Sequence, residues 1–212
     1  MPHVGKRAFA PTGTDRVSEN GETEMGKHVE QTDLTRQSIV DAFWLIAKNG
    51  GTSRITASAV AGKAGVNRST FYEYFPDMDG LTGYIESTLT EELKTLIGGL
   101  YIKHNLNCSH RDLAKALIPY YERLTILLKR DSDRRFLLRI QQEAVELFSR
   151  VTENPDPMIE YEIAYLVAAF TGLLLYWDDT GRKIDEDSFT ELFHTLSIKG
   201  LAAQCTDAEI LV

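Results

Sequence analysis

Residues 55–75 read ITASAVAGKAGVNRSTFYEYF, two short helical patterns separated by a glycine turn. Thr56 stands where a helix N-cap belongs, because its side-chain oxygen can accept from a first-turn amide that has no partner inside the helix. Val60, Ala61 and Ala64 fall on one helical face, and the small alanines let a second helix approach closely. Gly65 follows the last periodic residue, where a left-handed backbone commonly ends a helix, and Val66 is placed to plug the gap between the two pieces. Asn67 is the expected N-cap of the second piece. That puts Arg68, Ser69 and Thr70 in its first turn, turns Phe71 and Phe75 inward, and leaves Tyr72 and Tyr74 facing outward.

Two helices in this relation form a helix-turn-helix. Such a unit sets the N-terminal residues of its second helix against base edges in the major groove, while hydroxyls and amides near both helix starts hold phosphates. Arg68 is the expected base reader, since a guanidinium grips guanine O6 and N7 with two hydrogen bonds. Thr56, Asn67, Thr70, Tyr72 and Tyr74 are the expected phosphate contacts, and Ser69 suits either role. Double-stranded operator DNA is the implied partner.

The segment resembles the TetR family of bacterial transcriptional regulators. Their N-terminal domain has an apolar first helix followed by I-T-x-x-x-x-A-x-x-A-G-V-x-x-x-T-x-Y-x-[HY]-F. Ile55, Thr56, Ala61, Ala64, Gly65, Val66, Thr70, Tyr72, Tyr74 and Phe75 occupy those positions without a gap, and the likeness extends over residues 34–81. Two positions depart from it. Met78 stands where many members carry a lysine, which removes one expected phosphate contact, and Ser69 replaces a common glycine. The resemblance implies an all-α protein with a three-helix DNA-binding domain at residues 33–80. A helical ligand-binding and dimerisation domain would follow at residues 81–212.

The chain has 212 residues, enough for one small domain and one of ordinary size. Its net charge of −8 is unevenly spread. Residues 34–75 carry Arg36, Lys48, Arg54, Lys63 and Arg68 against only Asp41 and Glu73, whereas the part after Phe75 holds 14 basic and 23 acidic residues. An acidic body behind a basic head repels DNA everywhere except at the head, which orients the encounter. Residues 1–32 have few apolar side chains and are expected to be disordered, with Lys6, Arg7 and Arg16 within reach of a minor groove if the arm contacts DNA. They contain no apolar signal core, and no stretch reads as a membrane span, since 165–177 is short and interrupted by Thr171 and Gly172. A cytoplasmic protein is expected. Cys108 and Cys205 fit no metal spacing and are expected to be free thiols.

Helical periodicity recurs along the rest of the chain. Ile39, Ala42, Phe43, Ile46 and Ala47 mark a scaffold helix over residues 34–49. Asp77 is placed to cap a fourth helix that carries Leu81, Ile85, Leu89, Leu93 and Leu96 as far as Gly98 and Gly99 and so touches both domains; in the TetR family this helix transmits ligand state to the heads. Pro119 should kink or split the pattern over 111–129, and Asp131 or Ser132 should cap the one over 134–151. Residues 154–157 form a breaker before the apolar 158–178, and 185–203 is amphipathic again. In 158–178, Ala164, Ala168 and Gly172 recur every fourth residue beside Tyr161 and Tyr165, and Phe189, Leu192, Phe193 and Leu196 make a similar stripe in the last helix. By resemblance these two stripes pair with their copies in a second subunit, giving a homodimer.

No G-x-S-x-G, H-E-x-x-H or P-loop is present, and His104, His110 and His194 lack metal-ligand spacing. Catalysis, a metal and a cofactor are therefore not expected. Tyr101, Tyr120, Tyr121, Phe136, Phe148, Tyr165 and Trp177 are the candidates to line a pocket for a small-molecule effector, with no single ligand-binding residue assigned. The expected function is a ligand-responsive homodimeric repressor that binds a palindromic operator. The alternative is a TetR-like coactivator or structural DNA-associated protein whose C-terminal domain binds another protein.

Overall fold

The computed structural model describes residues 19–50, 55–103, 108–131, 133–151 and 157–199. These form helices α1 (Glu19–Gly50), α2 (Ala57–Ala64), α3 (Arg68–Tyr74), α4 (Met78–Lys103) and α5 (His110–Leu117), then a 3-10 turn (Ile118–Tyr120). Helices α6 (Tyr121–Arg130), α7 (Arg135–Val151), α8 (Met158–Asp179) and α9 (Glu186–Lys199) follow. No strand occurs among the described residues, so the fold is all-α, as expected.

The first three helices make a small domain around Ile39, Phe43, Ala47, Val60, Ala61, Phe71 and Phe75. Its helix starts and stops are local chemistry. Thr56 Oγ1 accepts from the Ala59 amide at 3.2 Å, and Gly65 turns the chain at φ 71°. Asp77 Oδ1 accepts from the Gly80 amide at 2.7 Å, opening α4. That turn demands glycine at position 80, where a Cβ would lie 2.9 Å from Pro76 Cδ. Leu81, Ile85, Leu89 and Leu93 run as one buried line down α4 from the small domain into the larger one, so the expected boundary at residues 80 and 81 falls within a continuous helix.

In the larger domain α7 pairs with α8, α5 with α9, and α4 crosses both α5 and α7. Pro119 does split its helix, into α5 and α6. The Asp131 carboxylate caps the start of α7 by accepting from the Leu137 amide at 3.0 Å, and the Asp185 carboxylate caps α9 from the Ser188 amide at 2.7 Å. Trp177 anchors the α8–α9 corner: its indole N–H donates to Ile184 O at 2.7 Å, and its ring stacks on Phe189 at 4.7 Å. The α1–α6 contact ties the domains together through Lys48, whose ammonium meets the Glu122 carboxylate at 2.9 Å.

Several expectations are corrected. Residues 19–32 belong to α1 rather than to a disordered arm; residues 1–18, with Lys6, Arg7 and Arg16, lie outside the described residues. Once the packed half of α1 has nucleated, extending it through good helix formers such as Glu22, Glu24 and Met25 needs no core of its own. Helix α4 does not stop at Gly98 and Gly99 but continues to Lys103, because helical turns flank both glycines. By length and composition α8 passes for a membrane span, against the expectation that no stretch would. Its Ile163, Phe170, Leu174 and Trp177 are buried within the fold.

Candidate nucleic-acid interface

Helix α3 is short, and its back is wholly apolar. Phe71 is 0% exposed and Phe75 nearly so, their rings 6.0 Å apart, so the helix is clamped to α1 and α2 through these two rings. Asn67, Arg68, Ser69, Tyr72 and Glu73 are exposed on the other side, and Thr70 is half-buried. Arg68 is held in place: Nη2 donates to the Tyr72 hydroxyl at 3.2 Å, and the guanidinium lies 5.5 Å from the centre of that ring. A residue four positions on thereby limits the rotamers of Arg68, the expected base reader.

Other expected contacts are arranged less simply. Asn67 occupies the N-cap position with extended backbone, but its side chain makes no capping hydrogen bond, so its amide remains open to a phosphate. Thr56 is exposed, with its oxygen engaged by Ala59. Tyr74 does not point fully outward; it is half-buried against the small domain's core, because Arg36 of α1 lies 5.8 Å over its ring. Arg36 also lies 6.0 Å over the Tyr84 ring and pairs with Asp33 at 3.0 Å. In the sequence Arg36 registers only as one positive charge; the structure brings it beside α3, and no local spacing signals that.

The second feature is a cavity of about 260 Å3 enclosed by α4 to α9. Tyr101 and Phe148, two of the suggested pocket aromatics, line it, with rings 4.8 Å apart. Tyr120, Tyr121, Phe136, Tyr165 and Trp177 do not. Burial pushes the Tyr101 hydroxyl up to about 12, so it stays protonated. His110, in the lining, and His194 come together through the α5–α9 contact, ring centroids 6.5 Å apart. Burial, and then the neighbouring His194, hold the His110 imidazole below its ordinary pKa. Both Nδ1 atoms are buried with no hydrogen bond among the described residues, and no third ligand makes a metal site there. Residues so distant in sequence carry no signal that would pair them.

A third feature is the outer face of α8, where Tyr161, Tyr165 and Tyr176 are 72%, 60% and 69% exposed, and Ala168 and Gly172 are exposed between them. Ala164 is half-buried, as are Leu192 and Leu196 on α9. Phe189 and Phe193, expected in the same interface, are instead buried in this chain's own core, with Phe170 at 6.0 and 5.2 Å from their rings. A stripe on one helix does not reveal which of its edges meets its own domain.

A short helix with an exposed polar face, clamped by buried rings behind a glycine turn, defines a helix-turn-helix DNA-binding domain. Residues 39–85 match the model of the bacterial regulatory proteins of the tetR family, so the head carries the N-terminal domain of that family. Among solved structures it is similar to the fatty acid degradation regulator FadR from Bacillus halodurans. That likeness has a TM-score of 0.56 at 18% identity and covers 79% of this chain and 96% of that one. It is also similar to the dihydroxyacetone kinase operon activator DhaS, with TM-score 0.53, 16% identity, and 80% and 95% of the two chains covered. These likenesses show a shared fold across both domains. No curated protein matches the sequence.

Proposed function

We infer that the chain is a cytoplasmic homodimeric repressor that binds a palindromic operator through α3 and lets go when a small molecule fills its cavity. The observation that carries this reading is the division of α3, with Phe71 fully buried behind it and Arg68, Ser69 and Tyr72 free in front. Arg68 is assigned to a base edge, and Asn67, Thr56, Thr70, Tyr72 and Tyr74 to the backbone. Tyr161, Tyr165, Ala168, Gly172 and Tyr176 support the dimer, since so large an exposed aromatic and small-residue face suits a second helix. A Cβ at Gly172 would meet nothing within 4 Å in the single chain, which leaves that surface open to a copy. Two heads are what a two-fold operator with half-sites about 34 Å apart requires.

The cavity supports the regulatory half. Leu93 of α4 and Leu124 of α6 both line it; α4 runs into the head, and α6 holds α1 through Glu122 and Lys48. A ligand that moves either wall therefore shifts the head. Nothing in the site suggests turnover, and the TetR family works by binding. Light scattering of the purified chain should report a dimer, and a reporter driven by the chain's own upstream DNA should rise when the chain is deleted. A monomer, or a reporter that falls, contradicts the dimer or the repressor sign respectively.

A further inference from the structure

The cavity walls select for charge. Leu93, Ile97, Leu117, Leu124, Ile140 and Leu166 surround its depth, and among the described residues the formally charged side chains in its lining are Lys94, Glu143 and Glu162. Inside, the Thr90 and Thr171 hydroxyls donate to carbonyls of their own helices, Glu86 O and Val167 O, both at 2.8 Å. Tyr101 is protonated and His110 is biased to its neutral form. The depth thus has no charge to offer a ligand.

The three charged groups gather at one level of the lining. Gln141 Nε2 donates to Ala164 O at 3.2 Å, and the antiparallel register this sets puts Glu143 of α7 and Glu162 of α8, both in the lining, at matching levels. Lys94 Nζ reaches Glu143 at 2.7 Å and also Glu91 at 3.0 Å, and these two hydrogen bonds raise its pKa. Its charge is already answered twice. Glu162 is exposed and forms no ion pair among the described residues. Lys94 and Glu143 are partly exposed as well, so this level is the mouth, and it carries more carboxylate than ammonium. Among the described residues an anionic ligand would find there no cation without a carboxylate partner, and a positive one would find Glu162 without an ion pair.

We propose that the effector is a lipophilic cation, an aliphatic or aromatic body filling the cavity with its ammonium at the mouth between Glu143 and Glu162. A cavity of 150 Å3 holds benzene, so one of about 260 Å3 takes a body of roughly ten carbons. This rests on reading the cavity as an effector site.

The test is calorimetric titration of the full chain with decylammonium, 1-decanol and decanoate. Because a solvent-facing ion pair contributes modestly, the expected steps are about 5-fold from decylammonium to 1-decanol and a similar factor from 1-decanol to decanoate. Salt should compress both. Glu162→Gln, a surface change, should bring decylammonium toward 1-decanol and leave 1-decanol itself unmoved. The proposal is overturned if decanoate binds as tightly as decylammonium, if Glu162→Gln weakens all three alike, or if none binds. Should decylammonium bind with this selectivity yet leave DNA affinity unchanged, the charge selectivity stands and the regulatory reading fails instead.

Discussion

The DNA-binding head and the body behind it solve opposite problems with the same helices. In the head, apolar residues close completely behind α3 so that polar ones stand free in front; in the body, apolar residues from six helices fail to close and leave a cavity. The head's task is to present a fixed surface, which rewards rigidity. The body's proposed task is to respond, which needs a space whose filling changes the packing. Among the described residues they are joined by the continuous helix α4 and the Lys48–Glu122 contact between α1 and α6.

The strongest way to break this contrast is to hollow out the head. Phe71→Ala removes a fully buried ring and should cost about 3 to 5 kcal/mol. Thermal or denaturant unfolding should show it, with DNA binding lost. A loss near zero would mean that the head tolerates cavities as the body does. Next comes the front of α3. Arg68→Ala should cost about 1 to 3 kcal/mol of specific affinity and relax one base position, while Tyr72→Phe weakens all sequences about equally; quantitative binding to an operator and its single-base variants separates the two.

Gly65→Ala tests the turn. At φ 71° an L side chain is strained, so a loss of about 1 to 2 kcal/mol is expected in the unfolding free energy, with the body's effector binding unaltered. Lys48→Met should barely move the unfolding midpoint, because the pair is solvent-facing, but it should reduce how far effector binding weakens DNA binding. The smallest effect is electrostatic. Burial and His194 favour the neutral imidazole of His110, so its contribution to stability is complete above the ordinary histidine pKa of about 6.5 and declines as pH falls below it, where the unfolded chain takes up the proton first. The drop in unfolding midpoint between neutral and mildly acidic pH should therefore be shallower in His110→Gln than in the parent chain.

The same contrast explains what the sequence discloses. The α2–α3 unit is legible because its determinants are neighbours in the chain: the Thr56 cap, the Gly65 turn, and the inward Phe71 and Phe75 all stand where spacing puts them. The split at Pro119 and the Asp77 cap are legible for the same reason. The body is not, because its determinants are distant pairings. Nothing local shows that Phe189 and Phe193 face their own core, or that Glu143 and Glu162 reach one level. The encounter of His110 with His194 is equally silent. Even in the head, the approach of Arg36 to Tyr74 depends on how α1 crosses α3, and Asn67 occupies a cap position without using it.

The most direct test is selection of bound duplexes from fragmented genomic DNA by the full chain, followed by footprinting of the enriched sites. The account predicts a palindromic site with two protected half-sites about one helical turn apart, with protection lost in Arg68→Ala combined with Tyr72→Ala. Enrichment of no duplex, or a footprint that the doubly substituted chain reproduces, would contradict it.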